Sequence, residues 1–180
     1  MICWDRVGDH LVVGVFEQGE VGGLRRYLTG LRNLLDERFA GYSAWELGMP
    51  FPVSEAVDPR LRAILRRRSV GVSRWQEPEV LRPLREAVEA VLVTLPDRGG
   101  IVELRSVDVV VAWTRSLTDL RVAMSAAVRD GDPVVASRTR FTTRWLRSLV
   151  RTLDAASTKP AEVVPQNLVD SVNQVRAYWI

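Results

Sequence analysis

Residues 106–131, SVDVVVAWTRSLTDLRVAMSAAVRDG, form the longest stretch of this chain with an unbroken helical period, and the segments on either side read as partners for it. Val110, Trp113, Leu117, Leu120, Met124 and Val128 recur at steps of three and four, which at about 100° per residue places them on one face. Ser106 stands where an N-cap belongs, Asp108 falls in the first turn, and Arg129 precedes Gly131. Ala112, Ala123 and Ala126 cover the opposite side, and small residues there admit a second helix. This segment is therefore expected to be contacted on two sides. A polar strip remains: Thr114, Thr118, Arg121 and Ser125. Arg121 with Thr118 reads as an anchor for an anion or an acidic partner. The structural alternative is an arginine that lays its stem on apolar surface or pairs with a carboxylate of another helix.

The remaining segments supply what such a helix needs around it. Residues 2–16, ICWDRVGDHLVVGVF, read as two strands around Gly8-Asp9, with Trp4 and either Val12 or Val13 turned inward. A lone hairpin is marginal, and residues 101–104, IVEL, are the candidate third strand. A first helix spans Glu20 to about Phe39, with Leu24, Leu28, Leu31 and Leu35 as its stripe and Tyr27 and Leu34 beside it. Its Gly-Glu-Val-Gly-Gly start has neither the spacing of a phosphate loop nor a following Lys-Ser/Thr. Residues 40–57 read as a loop anchored by Trp45 and Phe51, with a partner-binding role as the functional alternative. Asp58-Pro59 opens a short helix to Arg68, its inner face Leu61, Ile64 and Leu65. Arg66, Arg67 and Arg68 end it favourably for the helix dipole, or else contact a phosphate or an acidic protein. A helix from about Pro78 to Leu95 turns Leu81, Leu84, Val88, Val91 and Leu95 inward, with Pro83 kinking it or marking its true start.

After the Asp130-Gly131-Asp132-Pro133 turn comes a last core helix over 137–155. Phe141, Trp145, Leu146, Leu149, Val150 and Leu153 are assigned to its inner side, and Arg140, Arg144, Arg147 and Arg151 line the other. No acid interrupts that arginine strip before Asp154, which makes it the strongest electrostatic feature of the chain. It can follow a phosphate backbone or grip an acidic protein surface. It can also be a solvated face, because the basic residues are almost all arginine (Lys159 is the sole lysine), a bias that a GC-rich genome alone produces.

Chemistry for catalysis is sparse. With one histidine, His10, and one cysteine, Cys3, there is no nucleophile–base pair, no intramolecular disulfide and no Cys/His zinc site to propose. The carboxylates read as scattered singly over helix surfaces, so no enzymatic activity and no cofactor or metal are expected. Cys3 is either a small buried hydrophobe beside Trp4 or an exposed redox-sensitive thiol near Arg6, able to form an intermolecular or mixed disulfide. No stretch approaches the roughly 18 apolar residues of a membrane span, and no basic segment leads into an apolar one at the N-terminus, so a cytoplasmic protein without membrane contact is expected.

Several of these positions recur as a set. Phe16 and Glu20 lead into Leu24-Arg25. Asp58-Pro59-Arg60-Leu61 opens the second helix, and Trp113, Leu117, Asp119, Leu120 and Arg121 spell a W-x-x-x-L-x-D-L-R pattern. Phe141, Trp145-Leu146 and Leu149-Val150 mark the last core helix. Over roughly residues 2–155 the chain thereby resembles DUF2017, an actinobacterial family of unknown function that includes AosR-like oxidative-stress regulators. Thr118 stands where that pattern usually has Asn, and Ser125 where glycine is common. Genes of the family often lie beside the ClpS adaptor of N-end-rule proteolysis, and some members are implicated in redox-dependent transcription control through two nearby N-terminal cysteines. Cys3 alone does not supply such a pair.

The expected fold is mostly α: a compact domain of about five to six helices with a small N-terminal β-hairpin and a third short strand near 101–104. Residues 1–155 are expected to form this single domain, and 156–180 a linker and a C-terminal amphipathic helix with Leu168, Val172, Val175 and Trp179 on one side. The leading functional expectation is a non-enzymatic, transcription-associated regulator, stress- or redox-linked, whose arginine helix contacts DNA or the transcription machinery. The alternative is a protein–protein adaptor or scaffold, linked to ClpS-type proteolysis, without nucleic-acid affinity. A protein partner is expected in either case, with DNA and a homodimer as candidates. A third reading, a ligand-sensing helical domain, requires a pocket beside Arg121.

Overall fold

The chain runs β1 (Trp4–Val7), β2 (Leu11–Phe16), α1 (Gln18–Glu46), α2 (Pro59–Arg68), α3 (Glu77–Thr94), β3 (Gly100–Leu104), α4 (Val107–Ala127) and α5 (Pro133–Thr158). This computed structural model describes residues 4–7, 11–46, 58–68, 77–127 and 133–158, with the backbone alone for 44–46 and 133–135. Cys3, the Gly8-Asp9 turn, Phe51, Trp75, the side chain of Trp45 and the expected terminal helix lie outside the described residues.

Helix α4 is the centre of the packing. Ser106 caps it: the Oγ accepts from the Val109 N–H at 3.3 Å and the carbonyl accepts from the Val110 N–H at 3.1 Å. Trp113, Leu117 and Leu120 are buried, with Val110 and Met124 packed at the edge of the same core. Contact extends beyond two sides, since α2, α3 and α5 all pack against this helix. The Trp113 indole N–H donates to Thr94 Oγ1 at 2.9 Å, which ties α4 to the last turn of α3.

Two helix starts follow from local chemistry. The Asp58 carboxylate accepts from the Arg60 N–H at 2.8 Å and pairs with the Arg60 guanidinium, whose hydrogen bond holds the Asp58 carboxyl below the usual carboxylate range. Pro59 then occupies the first helical position, where its missing N–H costs nothing. At α1 the Glu20 carboxylate accepts from the Glu17 N–H at 2.9 Å, so the helix starts at Gln18, two residues before the expected Glu20.

The far end of α1 corrects the sequence reading more. The expected loop from residue 40 is helical to Glu46. Phe39 and Tyr42 continue the step of four and three beyond Leu35, and Tyr42 is buried, so packing outweighs the roughly 1 kcal/mol that Gly41 costs inside a helix. The arginine-bearing helix also begins earlier than expected, at Pro133 rather than 137. Its buried face is Leu146, Leu149, Leu153 and Ala156, with Trp145 and Val150 partly covered. Phe141 is not on that face and is 75% exposed. It precedes Leu146 by five residues, about 140° around the helix. Pro83 lies inside α3 with its ring exposed, and the helix begins before it at Glu77.

The three strands form one antiparallel sheet in the order β1-β2-β3, so the expected third strand is present. Trp4 pairs with Gly14, and Gly14 with Val102, which puts Trp4, Val12, Gly14, Phe16, Val102 and Leu104 on the core face. The Trp4 ring lies over Gly14, where a Cβ would sit 2.6 Å from the indole. Trp4 meets Phe16 and Trp113 edge-on at centroid distances of 5.4 and 5.2 Å, joining sheet to α4. Two arginines close helix ends elsewhere. Arg25 of α1 donates to the Leu95 and Pro96 carbonyls just past α3, and Arg6 of β1 donates to the Ser157 carbonyl near the end of α5.

Candidate functional site

The charged side chains divide into those the fold consumes and those it leaves presented. Asp119 belongs to the first group. It lies on the alanine side of α4, among Ala112, Ala123 and Ala126, and its side chain is 1% exposed. Helix α2 packs there and brings the end of its triple arginine: Arg67 Nη1 donates to Asp119 Oδ1 at 2.9 Å, and Arg68 donates through Nε to Oδ2 at 3.1 Å and again through Nη2. Both carboxylate oxygens are thereby satisfied, as a buried charge requires. The acidic contact weighed for Arg66, Arg67 and Arg68 thus lies within the chain for two of them. A groove of about 520 Å³ opens beside this cluster, lined by Thr114, Arg115, Thr118 and Glu79 among others.

Glu77 is the second buried acid. At the start of α3 it accepts from Arg38 Nη2 at 2.6 Å and from the Tyr42 hydroxyl, both on the last turns of α1. Burial, and then the hydrogen bond to Glu77, push the Tyr42 phenol well above its ordinary range. Burial works against charge on Arg38, but Glu77 and Tyr42 outweigh it and raise that guanidinium too. The expectation that carboxylates are scattered over helix surfaces therefore fails at Asp119 and Glu77. Each sits where a second element brings arginine to it.

The residues singled out from sequence fall in three places. Thr118 and Arg121 do not form one anchor. Thr118 is buried, donates to the Thr114 carbonyl at 2.6 Å and borders the Asp119 groove. Arg121 lines a different groove, of about 590 Å³, between α2 and α4. Arg62 and Arg66 of α2 line it too, together with Ser125 and the apolar Pro59, Ala63, Val122 and Ala126. Among the described residues no carboxylate lines it, and neither Arg66 nor Arg121 is paired with one.

Arg140, Arg144, Arg147 and Arg151 are all exposed along α5, as the spacing implies. Among the described residues none of the four holds a carboxylate; Arg140 Nε reaches only the Ala136 carbonyl, at 3.4 Å. The nearest acid in sequence, Asp154, accepts instead from the Thr114 hydroxyl at 3.4 Å. A shallow depression of about 290 Å³ runs among Arg140, Thr143, Arg144, Arg147 and Ser125. Ser125 also borders the α2–α4 groove, so the two cationic surfaces meet at that residue. Sequence reasoning found the strip from its spacing. Arg62 escaped it, and Arg66 is singled out there only within the triple arginine, because their place beside Arg121 depends on how α2 crosses α4.

Among the described residues no group of His, Cys, Asp and Glu could hold a metal ion, and no helix is long and apolar enough to cross a membrane. The fold is that of a mostly α-helical domain covered at one end by a small antiparallel sheet, with an arginine-lined surface shared by α2, α4 and α5. The chain belongs to the DUF2017 family, whose model, described as a domain of unknown function, matches residues 1–153. No curated protein and no solved structure matches it.

Proposed function

We propose that this protein is a non-enzymatic, transcription-associated regulator in the cytoplasm that holds duplex DNA through the arginine strip of α5. One observation carries the reading. The strip arginines have no carboxylate partner among the described residues, whereas arginines on α1, α2 and α3 are repeatedly in ion pairs: Arg32 with Glu89, Arg38 with Glu77, Arg68 with Asp119 and Arg85 with Asp36. A chain merely rich in arginine would be expected to treat α5 as it treats the other helices. From Arg140 to Arg151 the strip covers about 16 Å of helix, a length that supports contact with several successive phosphates. The resemblance to AosR-like regulators supports the transcription-associated, stress-linked role.

Duplex binding measured by fluorescence anisotropy tests this. If three or four phosphates are neutralised, affinity should fall about 40- to 150-fold between about 50 and about 200 mM salt. Arg144→Glu/Arg147→Glu should abolish the binding with the fold intact. Absence of binding by folded wild-type protein at low salt would overturn the DNA reading. The adaptor reading would then lead, supported by Phe141, whose exposed ring beside Arg140 and Arg144 has the make-up of a protein-interface anchor.

A further inference from the structure

The α2–α4 groove has properties that the strip lacks. Its arginines, Arg62, Arg66 and Arg121, come from two helices and line one groove, whereas the strip runs along a single helix. Its volume of about 590 Å³ lies within the range of roughly 300–1,000 Å³ that holds small organic ligands. The lining combines Arg62, Arg66 and Arg121 with the small apolar residues Pro59, Ala63, Val122 and Ala126.

The fold also fixes the walls. Arg121 follows directly on Asp119 and Leu120, and Arg66 directly precedes Arg67, so the Asp119 ion pairs clamp the two helices one residue away from Arg66 and two from Arg121. The backbones that carry both arginines are thereby held before any ligand arrives, which lowers the ordering cost of binding. Guanidinium groups that hold no carboxylate among the described residues, as at Arg66 and Arg121, favour a planar or tetrahedral oxyanion, and phosphate accepts from several such groups at once.

We infer that this groove is a binding site for a small phosphorylated organic molecule, its phosphate between Arg66 and Arg121 and its uncharged part on the alanine and valine lining. This site is separate from the α5 strip and does not depend on the DNA reading. The two meet at Ser125, so a bound phosphorylated ligand places negative charge at the edge of the surface assigned to DNA.

Isothermal titration of the full chain with inorganic pyrophosphate at low salt tests the inference. Saturable binding of one pyrophosphate per chain is expected. Arg66→Gln/Arg121→Gln should weaken it about tenfold or more, the loss expected for charge-assisted hydrogen bonds. Arg144→Gln/Arg147→Gln should leave it unchanged within about twofold, since those residues border the neighbouring depression. Circular dichroism melts of both variants confirm that they fold. The inference is overturned if folded wild-type protein binds no pyrophosphate, or if the strip variant weakens binding as much as the groove variant. A groove variant that loses duplex binding, in a protein that takes no pyrophosphate, would assign the groove to a DNA phosphate and equally overturn the small-ligand site. Loss of DNA binding alone in the strip variant leaves the groove site standing, so the two readings fail separately.

Discussion

Asp119 shows how much one buried charge can organise. Its carboxylate is shielded from water and held by two guanidinium groups of unequal exposure, Arg67 at 48% and Arg68 at 20%. Removing the acid leaves both arginines without a partner, but Arg67 can turn to solvent, so the cost falls short of that for a fully enclosed pair. Asp119→Ala is expected to destabilise the protein by about 2–4 kcal/mol, a fall in melting temperature of roughly 5–15 °C for a domain of this size. The arginines should not be equivalent. Arg68→Met should cost clearly more than Arg67→Met, because Arg68 is the better buried and donates twice to Oδ2. Urea denaturation of the three variants checks the order, and equal costs for the two arginines would contradict it. The acid was half legible in the sequence. An aspartate among alanines on the closely approached side of a helix is out of place unless a cation arrives with the neighbour, and the triple arginine of α2 was available. What the sequence lacked was the crossing of α2 over α4, which decides that Arg67 and Arg68 pair inward while Arg66 does not.

The joint between α1 and α3 was the least legible part of the fold. Two prolines and several aromatics within residues 40–57 point to a loop, yet α1 continues to Glu46 because Phe39 and Tyr42 extend its buried stripe and Tyr42 meets Glu77. That contact depends on the phenol proton. The folded phenol ionises above the unfolded value of about 10. Over the intervening range the folded state binds more protons than the unfolded one, so stability falls as pH rises. The contribution of the hydroxyl should therefore be complete below about pH 10 and be lost progressively as pH rises from there towards the higher pKa of the folded phenol. Tyr42→Phe should lower stability by about 1 kcal/mol at neutral pH, and the difference from wild type should shrink in alkaline solution. Denaturant titrations at several pH values measure it, and a gap that stays constant to high pH would rule out the phenol proton. Helix α5 teaches a related point. Leucine spacing identifies its buried face and arginine spacing its strip, but Phe141, expected on the inner side four residues before Trp145, lies outside that face and is 75% exposed.

The domain as a whole separates its arginines by task. On α1 to α3 five of them, Arg32, Arg38, Arg67, Arg68 and Arg85, sit in ion pairs that join helices, Arg6 of β1 and Arg25 of α1 close helix ends, and on α5 they stand unpaired with acids among the described residues. The strip was visible in sequence because one helix carries it. The α2–α4 groove was not, since it exists only where segments distant in the chain meet; the expectation that a ligand-sensing domain would need a pocket beside Arg121 named the condition without the means to test it. The sheet bears on the order in which the molecule assembles. Strand β2 lies in the middle, with β1 beside it through a short connection and β3 arriving only after three helices have been laid down. Closing that long loop is entropically costly until α1, α2 and α3 have collapsed. In refolding from denaturant, helical circular dichroism should therefore recover before hydrogen-exchange protection of the amides that pair β2 with β3. Coincident recovery of the two signals would mean that sheet and helices form in a single step.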